Sequence, residues 1–494
     1  AGLLVLLDGK GHVQRCAALA GALFGAAAAL KYSNAVFALA ALPLAIAMPG
    51  LSPASRLRAG LAYMAGGAFA VGVLAGPWLI LMAREFGNPV FPLMNAWFQS
   101  PHALPTNMIG ARFMPVDLGG ALAFPFRMIA LDSALYTEMF APDIRFAALV
   151  LAAVAVPLLR TRRLASQAGE LRSADLRLLG FFAAGSLLWL ATSANGRYGM
   201  ILLLLAGVCL ARLAERLLPL GVARIVLTVL LAVQLATVAM ASSSRWGVAE
   251  PWSRHWLPYA VPERALHEPT LYLTVEVLPM AVVAPFLHPA SSFVNFRGQH
   301  SVPTDSPRLA MLLERHRGRV RTLGRALELV DGKPKADAVM PYDDTLLRIG
   351  FRVDAADCFT IGWQRDGDDR LSRAANWLAG DRMHAEPARL SAVSCGLVPA
   401  QRAPADIEAE ERMSSLFDRI EETCPGLFRG QTAVTERLGR GWSRNYTGLD
   451  ARLEAQGDRV VLYRYRAMMR VDLGSLSDWD RAEAPPRTAC GTRH

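Results

Sequence analysis

Long uncharged runs fill the first half of the chain and vanish from the second. Seven of them follow one another: Cys16–Leu30, Ala35–Met48, Ala59–Leu81, Phe146–Leu159, Leu178–Ala194, Tyr198–Ala211 and Ile225–Ala241. The run Ala59–Leu81 holds 23 residues without a charge, enough at about 1.5 Å per residue to cross a hydrocarbon core of about 30 Å. Several others fall short of the ~20 residues that a straight crossing needs. One such run alone is equally a buried helix of a soluble protein. Seven in series, separated by Arg-bearing loops, predict a membrane bundle. An apolar stub, Ala1–Leu7, stands before them.

After about residue 242 the pattern becomes polar and Pro-punctuated. Short alternating stretches at 271–277, 280–286 (Met280–Phe286), 292–296 (Ser292–Phe296), 320–323 and 358–363 predict strands. Ser306–Arg317, with Ser306 as cap, Asp337–Ile349, and Ile407–Thr423 behind Asp406 predict helices. Such alternation points to an α/β domain, and the tail after Leu476 reads as loosely ordered. The expected fold class is a polytopic α-helical membrane bundle followed by a soluble α/β extracytoplasmic domain. The bundle spans 1–241 and includes an outer-face interfacial segment over 82–142; the second domain spans 242–494.

Composition agrees with this division. Hydrophobic residues make up 53% of the chain and charged residues 19%, against about 25% charge in ordinary soluble domains. That argues against a purely soluble or a disordered chain. The 52 basic and 42 acidic residues leave a net charge of +10. Many of the cations sit in loops between apolar runs and no aromatic-basic stacking pattern accompanies them, so they are read as topology rather than nucleic-acid binding. Arg160, Arg162, Arg163, Arg172 and Arg177 place the loop between the fourth and fifth runs in the cytoplasm. Lys10, Arg15, Arg56, Arg58, Arg212 and Arg216 then fall on the same side. Lys31–Asn34, 82–144 and Ser193–Arg197 fall outside, and so does everything after Ala241. The expected location is the bacterial inner membrane, with a periplasmic C-terminal domain. Residue 1 already lies in an apolar stretch, which predicts a chain whose beginning lies further upstream.

Cys16 and Cys209 lie in apolar runs and read as core residues. Cys358, Cys395, Cys424 and Cys490 all lie in the outer domain, where disulfides form if the compartment is oxidising. Four cysteines allow three full pairings; Cys358–Cys395 is taken as one bridge. No CxxC or HxxxH spacing occurs, so the sequence gives no case for a metal, and no cofactor is expected.

The candidate chemistry gathers on the outer side. Gly76-Pro77-Trp78 is followed by Phe86-Gly87-Asn88-Pro89-Val90-Phe91-Pro92-Leu93-Met94-Asn95. Pro89 and Pro92 force the chain out of a helix here. Gly25–Leu30 ends in Lys31-Tyr32, and Asn195-Gly196-Arg197-Tyr198 opens a late run. A lysine at a helix end ordinarily snorkels to the interface. Two cations on one face can instead hold a lipid phosphate, Arg by a bidentate fork and Lys as a point charge.

These stretches, in this order and on one side, resemble the GT-C superfamily of polytopic glycosyltransferases. The resemblance is to its bacterial members similar to protein mannosyltransferases and aminoarabinose transferases, and it covers roughly residues 1–241. It implies a polyprenyl-phosphate-linked sugar donor and an envelope glycan, lipid or protein acceptor. It also implies donor-phosphate binding by Lys31 and Arg197, with Tyr32 and Tyr198 beside them, and an outer pocket shaped by Asn88 to Asn95. In that family the catalytic carboxylate lies in the first outer loop, after the first span. No such loop precedes Lys31, so the resemblance implies further spans before Ala1. A divalent metal occurs in the superfamily, but nothing in this sequence demands one.

The acids on the outer side are Glu85, Asp117, Asp132, Glu138 and Asp143. Glu85, two residues before the Gly-Asn-Pro turn, is the weak catalytic candidate; its structural alternative is a pair with Arg84. Asp117–Glu138 reads as one or two amphipathic helices along the interface. Two other functions are weighed. A transporter or flippase would carry polar residues at the bilayer midplane, whereas these runs are nearly uncharged at their centres. A non-catalytic envelope protein would use the bundle only to anchor the outer domain.

Overall fold

The computed structural model describes residues 1–8, 12–47, 51–107, 110–115, 117–131, 135–137, 140–160, 173–241, 259–274, 280–296, 302–325, 329–330, 333–334, 343–363, 370–379, 391–431, 433–438, 441–464, 469–481 and 490. The chain forms two compact units. One joins Ala1–Arg84 to Ile109–Ser244; the other joins Glu85–Met108 to Arg245–His494.

The first unit is helical. Its helices are α1 (Gly2–Asp8), α2 (Val13–Leu30), α3 (Ala35–Ile46), α4 (Pro53–Leu74) and α5 (Gly76–Phe86). After the single turn α6 (Asn95–Phe98), which belongs to the other unit, come α7 (Leu118–Arg127), α8 (Arg145–Arg160), α9 (Ser173–Thr192), α10 (Met200–Leu217) and α11 (Leu220–Met240). Four of these, α2, α4, α9 and α11, are long and apolar enough to cross a membrane. The α10 helix has 18 residues but carries Arg212, Glu215 and Arg216 in its last turns. The predicted run Ala59–Leu81 is interrupted at Ala75 between α4 and α5, where Pro77 brings no backbone donor.

Small residues set the closest packing. A Cβ on Gly21 of α2 would lie 1.9 Å from the Tyr63 carbonyl oxygen of α4. One on Gly25 would lie 2.4 Å from the Gly67 oxygen, and one on Gly66 2.1 Å from the Ala18 oxygen. The two backbones therefore meet directly, as small-residue helix pairs do in membranes. Tyr63 Oη donates to the Ala38 carbonyl at 2.8 Å and fastens α4 to α3. Asp175, buried near the start of α9, accepts from Arg212 at 2.8 Å and Arg216 at 3.2 Å on α10.

The α11 helix exposes Ile225, Val229, Leu231, Leu235 and Val238. Its Gln234 is held at both ends of the amide: Nε2 donates to the Pro142 carbonyl at 2.8 Å and Oε1 accepts from Ile144 N at 2.9 Å. Polar side chains of this kind join membrane helices at about 1 kcal/mol each. Gln234→Leu is accordingly expected to lower thermal stability in detergent by about that much, with proteolysis of the α10–α11 connection rising first. Unchanged melting and cleavage would show that α11 is held by other contacts.

The second unit is strand-rich. A seven-stranded mixed sheet contains β1 (Tyr259–Ala260), β2 (Leu271–Thr274), β3 (Ser292–Asn295), β4 (Val320–Thr322), β5 (Gly324–Arg325), β8 (Phe351–Trp363) and β9 (Ala392–Pro399). Its order is β1-β8-β9-β4-β2-β3, with β5 also on β9; β2 runs parallel to β3 and β4, while β8 and β9 are antiparallel. A small ribbon joins β6 (Leu329–Val330) to β7 (Lys333–Pro334). The last five strands form an antiparallel meander: β10 (Thr435–Leu438), β11 (Gly441–Tyr446), β12 (Ala451–Gln456), β13 (Arg459–Arg464) and β14 (Met469–Ser475). The helix Pro404–Thr423 is pinned to this meander by Arg444. That buried guanidinium reaches Asp418 at 2.7 Å and Glu421 at 2.6 Å. Disulfides join Cys358 to Cys395 and Cys424 to Cys490. The first is the predicted bridge, and it links directly paired residues of β8 and β9.

Several local expectations change. Met280–Phe286, read as a strand, contains the 3-10 turn Ala281–Phe286; Pro285 lies inside it and cannot donate to a ladder. Of Asp337–Ile349, the described helix is Asp343–Leu347, and 335–342 lie outside the described residues. Ser306 does precede its helix, Pro307–Arg315, but its side chain makes no cap hydrogen bond. The tail begins with an ordered helix, Leu476–Arg481, whose Trp479 is buried and donates to the Leu473 carbonyl at 2.7 Å.

Candidate functional site

The residues singled out by the sequence fall into two sets, one in each unit. In the membrane unit, α2 ends at Leu30 and the chain turns through Lys31 and the 3-10 turn Tyr32–Asn34 into α3. Asn34 Nδ2 donates back to the Ala27 carbonyl at 2.9 Å, closing the end of α2. The turn is therefore fixed, and Lys31 and Tyr32 stand exposed on it. The Lys31 ammonium lies over the Tyr198 ring, 4.3 Å from its centroid. Ser33 Oγ, in the same turn, is buried with no hydrogen-bond partner among the described residues.

Tyr198 belongs to the turn between α9 and α10, and that turn is tightly built. Trp189 Nε1 donates to the Asn195 carbonyl at 2.8 Å. Asn195 Oδ1 accepts from Arg197 N at 3.0 Å. A Cβ on Gly196 would meet the Tyr136 ring at 2.8 Å, and one on Gly199 the Trp189 indole at 2.9 Å. Ala194 takes a left-handed φ of 48°, a strained conformation for a residue with a Cβ. Residues 193–196 and Gly199 are buried, while Arg197 is exposed. The consequence is an Arg side chain on a rigid turn, one residue from the tyrosine that Lys31 covers. Lys31 thus contacts the turn that carries Arg197, and lysine and arginine are side-chain types suited to binding a phosphate.

The second set lies in Glu85–Met108. Asn88 and Asn95 are fully buried. Asn88 Nδ2 donates to the Leu93 carbonyl at 2.9 Å and reaches Asn95 Oδ1 at 3.4 Å; its Oδ1 accepts from Val90 N at 2.9 Å. Asn95 Nδ2 donates to the carbonyls of Ser100 and Ala103 at 2.9 Å and of Leu104 at 3.0 Å. Both amides spend their bonds on the loop's own backbone. They hold the shape of the loop 88–104.

Glu85 is also differently placed. Its carboxylate pairs with Arg308 at 3.2 Å, not with the adjacent Arg84, since neighbouring residues on a helix do not face each other. Arg308 also lies over the Phe86 ring, 5.1 Å from the centroid. Phe86 stacks on Phe91 at 4.2 Å, and His102 meets its edge at 5.6 Å. His102 Nδ1 shares a hydrogen bond of 3.1 Å with the buried Ser306 Oγ. Arg308 and His102 carried no signal in sequence, and Ser306 read only as a helix cap; their partners lie some two hundred positions away.

Burial, and then the charge of Arg308, depress the His102 pKa below its ordinary 6.5. A depressed folded pKa means that the unfolded segment binds the proton more readily. The contribution of His102 is therefore full above about 6.5 and falls as the pH drops below it. Protease cleavage within 85–108 is expected to rise as the pH is lowered from 7.5 to 5.5, and His102→Gln is expected to flatten that dependence. An identical pH profile in the variant would remove His102 from the account.

The remaining acids do structural work or fall outside the described residues. Asp117 accepts from Gly120 N at 2.7 Å and caps α7. Asp143 takes a two-pronged contact from Arg145, at 2.9 and 2.6 Å. Asp132 and Glu138 lie outside the described residues. Among the described residues, no group of His, Cys, Asp or Glu could hold a metal ion. No family model, no curated protein and no solved structure matches the chain.

Proposed function

We propose that the protein is a membrane glycosyltransferase. In this reading it moves a sugar from a polyprenyl-phosphate donor to an envelope acceptor at the outer face of a bacterial inner membrane. The observation that carries the reading is the contact of the Lys31 ammonium with Tyr198, whose neighbour in the chain is the exposed Arg197. Lys31 would neutralise the donor phosphate as a point charge, and Arg197 would grip two of its oxygens. As the sugar departs, charge builds on the phosphate, and fixed cations stabilise that state more than the ground state. The polyprenyl chain would run along the apolar helix surfaces.

Two further features support this reading. The disulfides of the second unit suit an oxidising compartment, as an outward-facing domain requires. Among the described residues, the ion pairs of the helical unit, Asp143–Arg145, Asp175 with Arg212 and Arg216, and Arg212–Glu215, stand toward helix ends. A transport pathway would favour polar groups at the midplane. No catalytic base is assigned. Glu85 is engaged by Arg308, and its variant serves as a control.

The test uses the full chain in lipid nanodiscs with undecaprenyl phosphate and undecaprenol as probes. Wild type is expected to bind the phosphate and not the alcohol. Lys31→Ala and Arg197→Ala are each expected to weaken phosphate binding by about tenfold, as losing a charge-assisted contact of about 1.5 kcal/mol implies. Glu85→Gln is expected to bind normally. Transfer of labelled sugar from undecaprenyl-phosphate donors then reads the reaction itself. Equal binding of phosphate and alcohol, or unaltered binding by both cation variants, would refute the site.

A further inference from the structure

The segment 85–108 clusters with the strand-rich unit, yet its first residues close a helix that follows directly on a membrane-length one. From Phe86 to Ala111 there is no Asp, Glu, Lys or Arg. Its one-turn helix α6 is bracketed by two left-handed residues, Met94 at φ 55° and Gln99 at φ 53°. Neither is glycine, so both carry strain, and the buried Asn95 holds the turn with its three carbonyl contacts. That scaffold does not draw the large apolar side chains inward. Trp97 is 71% exposed, Met94 44% and Phe98 40%.

From these observations we infer that α6 is a membrane foot: Trp97, Phe98 and Met94 of the strand-rich unit insert into the headgroup–acyl boundary of the bilayer that the helical unit spans. Three facts favour a bilayer over a protein partner. The segment is continuous with a helix that leaves the membrane unit. Past Glu85, which Arg308 pairs, it carries no Asp, Glu, Lys or Arg that would oppose insertion or select an acidic or basic surface. Its most exposed large apolar side chain is Trp97, and the amphipathic ring of tryptophan favours the interface. The ring stack of Phe86, Phe91 and His102, with the His102–Ser306 and Glu85–Arg308 contacts, fixes the foot to the helix Pro307–Arg315. Insertion would thereby restrain the unit that bears this helix. The inference is independent of the glycosyltransferase reading, because it needs only a bilayer.

The test compares wild type with Trp97→Phe, full chain, in phosphatidylcholine nanodiscs. The fluorescence difference between the two isolates Trp97 from the other nine tryptophans. Nitroxide lipids labelled near the headgroup are expected to quench most of that difference, labels at the chain terminus little of it, and aqueous iodide almost none. Trp97→Ser with Phe98→Ser removes two exposed side chains and is expected to leave melting unchanged while raising protease access to 85–108 in nanodiscs. Quenching of the Trp97 component by iodide and not by lipid nitroxides would overturn the inference. So would protection of Trp97 that appears only at high protein concentration, which would name a second copy as the occupant.

Discussion

Gly21→Val is expected to abolish the folded membrane unit, and Gly25→Val to do the same. A Cβ at either position would lie within 2.4 Å of a backbone oxygen on α4, well inside the van der Waals distance. Backbone cannot rotate away as a long side chain can. Relief therefore requires α2 and α4 to separate, losing the close packing that drives association where no hydrophobic effect acts between helices. Overpacking alone costs about 1–3 kcal/mol, and separating the pair adds the lost contacts along both helices. The measurement is the yield of monodisperse protein in mild detergent together with its melting temperature. Gly72→Val is the control: it lies on α4 with nothing within 4 Å of its Cβ and is expected to behave as wild type. If Gly21→Val and Gly72→Val behave alike, the α2–α4 contact described here is wrong.

Loss of either disulfide is expected to cost the strand-rich unit about 4 kcal/mol in the chain-entropy account. The bridges close separations of 37 and 66 residues, and the cost grows only with the logarithm of loop length. Cys395 and Cys424 are buried, so a serine there also places a hydroxyl in an apolar setting. Cys358→Ser with Cys395→Ser loosens β8 from β9 beside Asp357, a residue of β8 paired with Arg264 and Arg321. Burial opposes ionisation of Asp357, but hydrogen bonds from Arg321 and Arg264 outweigh it and hold the carboxyl below its usual range. Each paired variant, as full chain, is read by proteolysis of the second unit on heating, with and without reductant. Wild type is expected to become as sensitive as the variants once reduced. Resistance that is indifferent to reductant would show that neither bridge contributes.

Of the seven predicted runs, four correspond to helices long and apolar enough to cross a membrane, and these were legible because hydropathy reports such helices directly. The interruption at Ala75 was not, since Gly76 and Pro77 sit within an unbroken apolar run that hydropathy reads as one element. Met280–Phe286 misled for a related reason: a short apolar run with two valines fits a strand until its proline is weighed. At the candidate site, Lys31, Arg197 and Tyr198 could be picked out because a cation at the end of an apolar run is conspicuous. Asn88 and Asn95 could be picked out but not understood. A polar residue in a Pro-rich turn looks like a ligand group until its acceptors are seen to be the turn's own carbonyls. Arg308 gave no signal, because nothing local distinguishes an Arg that meets Glu85 from one that meets water, and Ser306 read as a helix cap rather than as a partner of His102.

The contacts of the 85–108 segment also bear on how the chain is made. His102 and Ser306 are 204 residues apart, and Glu85 and Arg308 223. During synthesis the segment emerges long before the helix it must meet, and among the described residues the helices α7 to α11 and Glu263–His267 are made in between. Its aromatic side chains pass that interval without their final neighbours. Such deferred, distant contacts form late. A chain cut after Ser244 would begin its second unit without the piece that completes it. Ribosome position, rather than thermodynamics alone, thus sets when this unit closes.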